Sequence, residues 1–301
     1  MRGIYRSQAG ERAVRERYLR FLKYWPVPNE HLRVPTREGE TFVVVSGPEN
    51  APALVLLHGA SGNAVMWMGD IAAWAAHFRV FAVDVIGDAG LSAPARPQLE
   101  SDAHALWLDD VMQGLSLSRA SFVGVSNGGW LVLDYATRRP DRVESLVVLC
   151  PGGVVRAKNI LLKALPFLLL GNWGARKVRE MILGRTPANA SKAHQIFADF
   201  IALIFEHLRP RTKRHPIFSD DALKRLASFQ LPVMAILGGK DVILDSAAIK
   251  QRLERVLPHS EIRCLPNAGH FIPGQTAPIL EFLRASTSTP ASLRETTARS
   301  V

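Results

Sequence analysis

Ser121-Phe-Val-Gly-Val-Ser126-Asn-Gly-Gly-Trp130-Leu-Val-Leu-Asp-Tyr-Ala136 passes from a short apolar run, through a serine flanked by glycines, into a stretch of helical character. A serine in the pattern G-x-S-x-G at such a strand-to-helix junction sits on a sharp turn that lifts its hydroxyl above the end of a sheet. The glycines answer to sterics, since side chains at Gly124 or Gly128 would collide with neighbouring backbone in so tight a turn. Gly129 is expected to let the following helix lie close to the sheet. Ser126 is therefore the candidate nucleophile, and an α/β architecture is expected around it.

Working outward, similar runs recur at Thr41–Val45, Leu54–Leu57, Val80–Val83, Leu146–Leu149, Val233–Leu237 and Glu261–Leu265. From Leu54 onward, segments of helical character separate them, the pattern of a mostly parallel sheet with helices on both faces. His31 to Gly47 reads instead as an antiparallel hairpin turning at Glu38-Gly39. Upstream, Val14, Tyr18, Phe21, Leu22 and Trp25 fall at helical spacing, which predicts an amphipathic helix ended by Pro26 and Pro28. Between Leu149 and Leu231 the strand rhythm stops, and Lys158–Leu170, Ala175–Leu183 and Ser191–Leu208 read as helices. The expected organisation is a helical segment over 1–30, a core over 31–150 and 226–284, a helical cap over 151–225, and a disordered tail over 285–301.

A serine hydroxyl is a weak nucleophile at neutral pH, so it needs a base, and the base needs an orienting acid. On a G-x-S-x-G elbow the expected chain order is serine, acid, histidine. Of nine histidines, His270 alone follows the last strand-like run near the end of the domain. His259 precedes that run, and His58 reads as a residue that holds its own loop in shape. For the acid, the loop after Leu237 offers Asp241 and Asp245. Asp245 stands just before Ser246-Ala-Ala-Ile-Lys250, where an N-cap accounts for it. The rival place for an acid, just after Leu149, holds Cys150-Pro-Gly-Gly153 and no carboxylate, so Asp241 is favoured. The backbone N–H groups of Ala60 and Asn127 are the expected oxyanion donors. The Asn127 side chain is read either as a further contact or as a tolerated elbow residue.

Composition narrows the remaining classes. With 301 residues and 48% hydrophobic content, the chain can bury a large core, which argues against disorder or a small stapled fold. Met1–Arg20 lacks the apolar centre of a secretory signal, and Ile160–Leu170, interrupted by Lys163 and Pro166, falls well short of the roughly 20 residues that cross a bilayer. A soluble, cytoplasmic protein is expected, with Cys150 and Cys264 as buried, unpaired packing residues. The formal charge of +10 raises a basic protein acting on membranes or nucleic acid as an alternative. Its densest run, Arg209-Pro-Arg-Thr-Lys-Arg-His215, has no interleaved aromatics and reads as solvated surface. No G-x-G-x-x-G, Walker or zinc-binding pattern is present, so neither cofactor nor metal is expected.

His58-Gly59, the loop Asp84-Val-Ile-Gly-Asp-Ala-Gly-Leu-Ser92, the elbow Gly124–Gly129, Asp241 and Gly269-His270 together resemble the α/β-hydrolase superfamily over residues 40–284. Trp25-Pro-Val-Pro28 and Gly47-Pro-Glu-Asn50 resemble its capped bacterial carboxylesterase-type members. Ala89-Gly90 departs from the commoner form of the Asp84 loop. The resemblance implies an α/β-hydrolase fold and hydrolysis of a small-molecule ester, and the leucine-rich stretch Leu161–Leu170 suggests an apolar group on it. Ser126 stands where dehalogenases and epoxide hydrolases of this fold carry aspartate. Phe271 follows the base where dienoate carbon–carbon hydrolases typically carry tryptophan. Those hydrolases, lactonases and a non-catalytic receptor remain as alternatives. Met66, Trp67 and Phe271 are expected to line the substrate pocket. Apolar residues of the cap, among them Phe167, Trp173, Phe197 and Phe200, read as an apolar pocket wall or, more commonly for helical apolar stripes, as simple packing.

Overall fold

Runs such as Ala53–Leu57 and Val233–Gly238 carry no polar alternation, so as strands they need cover on both faces. The computed structural model describes residues 3–159, 165–167, 170–184, 189–211 and 213–288. It meets that need with an eight-stranded sheet ordered β1-β2-β4-β3-β5-β6-β7-β8. The strands are β1 (Asn29–Val34), β2 (Thr41–Ser46), β3 (Ala53–Leu57), β4 (Arg79–Val83), β5 (Ala120–Val125), β6 (Val143–Leu149), β7 (Val233–Gly238) and β8 (Glu261–Leu265). β1 and β2 form the expected hairpin, with Val34 opposite Thr41 and Gly39 at φ 99° in the turn. β2 pairs antiparallel with β4, and all later pairings are parallel.

β3 lies between β4 and β5, so the chain winds to one side of β3 and then returns to the other. At such a reversal, the loops that leave the carboxyl ends of the strands diverge and open a crevice. The loop after β3 begins at His58, and β5 ends one residue before Ser126. The helix after Ser126, α4, shows why the elbow glycines are needed. It packs so closely that a Cβ on Gly128 would lie 2.0 Å from the Leu57 carbonyl oxygen, and one on Gly124 2.4 Å from that of Gly128.

The described helices are α1 (Gln8–Leu22), α2 (Ile71–Trp74), α3 (Ala103–Gly114), α4 (Asn127–Arg138), α5 (Gly171–Leu183), α6 (Lys192–His207), α7 (Asp220–Ser228), α8 (Ser246–Val256) and α9 (Thr276–Ser288). α5 and α6 fall in the interval between β6 and β7 that reads as helical in sequence, whereas much of the expected Lys158–Leu170 helix lies outside the described residues. No helix among the described residues is long and apolar enough to cross a membrane.

Three expectations are corrected. Cys264 is exposed, because β8 is an edge strand whose outer face lacks full cover, while Cys150 is buried. α9 continues through Ser288, four residues into the segment expected to be disordered, and 289–301 lie outside the described residues. In the run 209–215, Lys213 and Arg214 are exposed, but the Arg211 side chain is only 13% exposed and His215 is partly buried.

α1 is fixed by polar as well as apolar contacts. Val14 and Tyr18 are fully buried, and the rings of Tyr18 and Phe21 meet Phe200 of α6. The Tyr18 hydroxyl donates to Asp84 Oδ1 at 2.9 Å, an oxygen that also accepts from the Ala64 N–H, while Asp84 Oδ2 accepts from the Leu91 N–H. Burial raises the Asp84 carboxyl above its ordinary range, opposed by His58 and by these hydrogen bonds. Tyr18→Phe should therefore destabilise the protein by about 1.5–3 kcal/mol in urea unfolding, the contribution typical of a hydrogen bond to a charged group. An unchanged unfolding midpoint would show that Asp84 does not depend on α1.

Candidate active site

A hydroxyl held at the end of a strand is useful only if its turn holds it there. Ser126 has φ 53° and ψ −105°, a left-handed backbone that a residue with a Cβ adopts only under constraint. Its N–H donates to the Leu149 carbonyl, and its carbonyl accepts from the N–H groups of Trp130 and Gly152. Neighbouring strands and the start of α4 thus hold the turn on both sides.

The structure brings Ser126, His270 and Asp241 together. His270 Nε2 lies 2.9 Å from Ser126 Oγ, and His270 Nδ1 lies 2.8 Å from Asp241 Oδ2. His270 and Asp241 are both buried. The other Asp241 oxygen accepts from the N–H groups of Ile243 at 2.7 Å and Leu244 at 3.0 Å, so the carboxylate is fixed at both ends. Burial on its own would raise the Asp241 carboxyl. Its hydrogen bond to His270, the charge of that ring and the two backbone donors outweigh burial and hold it below the usual carboxylate range. Asp245 instead accepts from the Ala248 N–H at 3.2 Å and caps α8.

The other expected residues have distinct places. Asn127 is the first residue of α4, where no carbonyl a turn behind is available to its N–H, and Ala60 lies in the loop after β3. His58 holds its loop as expected: its Nε2 accepts from the Val85 N–H at 2.9 Å, and its Nδ1 lies 2.8 Å from the Gly59 carbonyl oxygen. His259 contacts the Leu231 carbonyl oxygen at 3.1 Å. Met66 and Phe271 are half-buried. Trp67 is 3% exposed and packs on Trp74 at 5.8 Å between ring centres, so its indole belongs to the core rather than to an open pocket wall.

Cys150 is a partner that sequence reading does not place here. Its Sγ, a carboxylate oxygen of Asp241 and a ring nitrogen of His270 lie within 4.8 Å of one another. These residue types could in principle hold a metal, but both Asp241 oxygens and both His270 nitrogens already have hydrogen-bond partners. Burial, with the Asp241 charge, pushes the Cys150 thiol well above its ordinary pKa and suppresses the thiolate that metals prefer. The arrangement suits general-base activation of Ser126 better than metal chemistry. Lys158 carries no local mark of a role here in the sequence, yet its ammonium donates to the Asp241 carbonyl oxygen at 3.0 Å.

A family model described as alpha/beta hydrolase fold matches residues 52–275. The chain belongs to this family. Carboxylesterase YbfK of Bacillus subtilis is 31% identical over 262 residues, covering 85% of this chain and 86% of that protein. An uncharacterized carboxylesterase of the same organism, nap, is 32% identical, with 85% of each covered. The crystal structure of naproxen esterase (carboxylesterase NP) from Bacillus subtilis superposes with a TM-score of 0.76 at 28% identity, covering 91% of this chain and 96% of that one.

Two further histidines lie close to the elbow helix. His104 is 2% exposed and meets Trp130 edge-on, and its pKa is pushed down to about 4 by burial and by the charges of Arg211 and His215. Its folded pKa lies below the ordinary 6.5, so between those values the unfolded chain binds more protons. Stability should thus be full above pH 6.5 and fall as pH drops toward 4, by roughly 3 kcal/mol for His104 alone. Thermal melts of this α/β-hydrolase family member from pH 7 to 4 should show that decline, and His104→Phe should make it shallower. An equally steep decline in the variant would remove His104 as its source.

Proposed function

We propose that this protein is a serine carboxylesterase that works through an acyl-enzyme intermediate. The observation that carries the reading is the continuous hydrogen-bonded set Asp241–His270–Ser126, with the serine on a strained elbow. The resemblance to proteins named as carboxylesterases over most of the chain supports the same substrate class.

An ester enters beneath the segment 151–225, which we assign as a cap over the core. Ser126 Oγ attacks the carbonyl carbon while His270 Nε2 takes its proton. The carbonyl oxygen gains negative charge and is held by the backbone N–H groups of Ala60 and Asn127. His270 then protonates the departing alcohol, leaving an ester between Ser126 and the acyl group. Water, activated by the same ring, attacks that ester; the acid leaves and Ser126 regains its proton. Asp241 keeps Nδ1 protonated and stabilises the charge on the ring. Met66 and Phe271, both half-buried, are assigned to the pocket walls.

A screen of p-nitrophenyl esters of graded acyl length, run beside a lactone and a dienoate ketone, tests the assignment. Hydrolysis of the esters is expected, with Ser126→Ala lowering kcat by about a million-fold and Asp241→Asn by about 10⁴-fold. Cleavage of the dienoate alone would overturn the esterase reading, and full activity in the Ser126 variant would overturn the nucleophile.

A further inference from the structure

Resting on the esterase reading, we infer that Arg211 and His215 are positioning residues, which together fix the two loops that supply the oxyanion donors. Both belong to the basic run that leads from α6 towards α7. In sequence it reads as solvated surface, yet these two side chains turn inward.

His215 acts on the nucleophile side. Its Nε2 lies 2.8 Å from Asn127 Oδ1, on the residue whose N–H is assigned to the oxyanion. The ring stacks on Trp130 of the same helix, with centres 5.2 Å apart and planes 27° from parallel. Gly152 leaves room for it, since a Cβ there would come within 2.5 Å of His215 Nδ1, and the Gly152 N–H donates to the Ser126 carbonyl. Burial and the Arg211 charge lower the pKa of His215 to about 4, partly offset by Asp88, so near neutral pH the ring is uncharged and offers a single N–H donor. Given to Asn127 Oδ1, that donor fixes the first residue of α4.

Arg211 acts on the opposite side. The Ser61 N–H, next to Ala60, donates to Asp88 Oδ1 at 3.0 Å, and Ser61 itself has φ 60°. Asp88 Oδ2 lies 3.5 Å from Arg211 Nε, a charge contact without hydrogen-bond geometry, and the Asp88 side chain is only 1% exposed. Arg211 Nη2 also donates to the Ile86 carbonyl at 2.6 Å, so the guanidinium is tied to the loop that carries Asp88. A buried carboxylate in this position needs a compensating charge, and Arg211 supplies it. The order Arg211, Asp88, Ser61, Ala60 on one side and His215, Asn127 on the other sets the spacing of two donors that must converge on one oxygen. Arg211 meets Asp88 and Ile86, and His215 meets Asn127 and Trp130, so their effect on turnover passes through Asn127 and Ser61.

His215→Phe keeps a ring on Trp130 and removes the donor. Loss of a whole oxyanion donor costs roughly 10²–10³ in kcat, so loosening one should cost about tenfold. We expect H215F to lower kcat by about tenfold with KM nearly unchanged, to weaken a trifluoromethyl ketone inhibitor by a similar factor, and to melt within a few degrees of the parent. His215→Gln, which retains an N–H, should recover much of the loss. Adding H215F to Asn127→Ala should cost little more than Asn127→Ala alone, since both remove the same contact. Arg211→Lys, which keeps the charge, should retain more kcat than Arg211→Met. A parental kcat in H215F, a loss confined to KM, or full additivity with Asn127→Ala would overturn the inference while leaving the esterase reading intact. A parent enzyme that hydrolyses no ester would overturn both.

Discussion

The geometry of the site depends on a constraint of space. At the junction of β5 and α4 the helix begins so close to the sheet that the Leu57 carbonyl stands where a side chain at position 128 would go, and the Gly128 carbonyl where one at 124 would go. This closeness forces Ser126 into left-handed backbone and turns its hydroxyl away from the packed strands. The same turn leaves the N–H of Asn127 at a free helix start, where donor and dipole both favour a developing negative charge. A looser junction would relax the serine and move this donor, so the proposed nucleophile and half of the proposed oxyanion site share one steric cause.

Around this junction, the buried polar groups are arranged to fix loops. Asp84 draws α1, the start of the 3₁₀ segment at Ala64 and the turn at Leu91 onto one carboxylate. Asp88 ties the Ser61 loop, and Asp241 ties Ile243 and Leu244 while it meets His270. All three are buried carboxylates at or beyond the carboxyl ends of strands, where the chain leaves regular pairing and backbone N–H groups would otherwise lack partners. An acceptor with two oxygens can join segments distant in sequence. Tyr18 and Asp84, 66 residues apart, are joined in this way. The loops become rigid where a reacting centre needs rigidity, at the cost of burying charge.

What could be read from the sequence follows from the range of each interaction. The elbow, the strands and the order Ser126, Asp241, His270 were legible because local sterics, side-chain periodicity and chain order leave marks within a few residues. Asp245 was separable from Asp241 for the same reason, since an N-cap is a local pattern. Sheet order leaves no such mark, which is why Cys264 could not be recognised as a residue of an exposed edge. Trp67 follows the loop after β3 and so invites a pocket assignment, but its burial depends on Trp74 and the rest of the core. Arg211 and His215 were hidden by their neighbours: a run of basic residues reads as solvated, and their partners Asp88 and Asn127 lie far away in the chain.

Among the enclosed histidines near the site, residue type is constant and surroundings are not. His58 spends one ring nitrogen on the Val85 N–H and the other on the Gly59 carbonyl, and so holds two loops. His104 and His215 lie beside the Arg211 charge, and burial makes their protonated forms unfavourable. The base proposed to become charged in turnover needs the opposite surroundings. His270 has them: a carboxylate 2.8 Å from Nδ1, placed to stabilise an imidazolium, and a hydroxyl 2.9 Å from Nε2. The division of labour among four identical side chains is therefore set by which partner stands at each nitrogen, and the fold decides that partner through the loop in which each histidine lies.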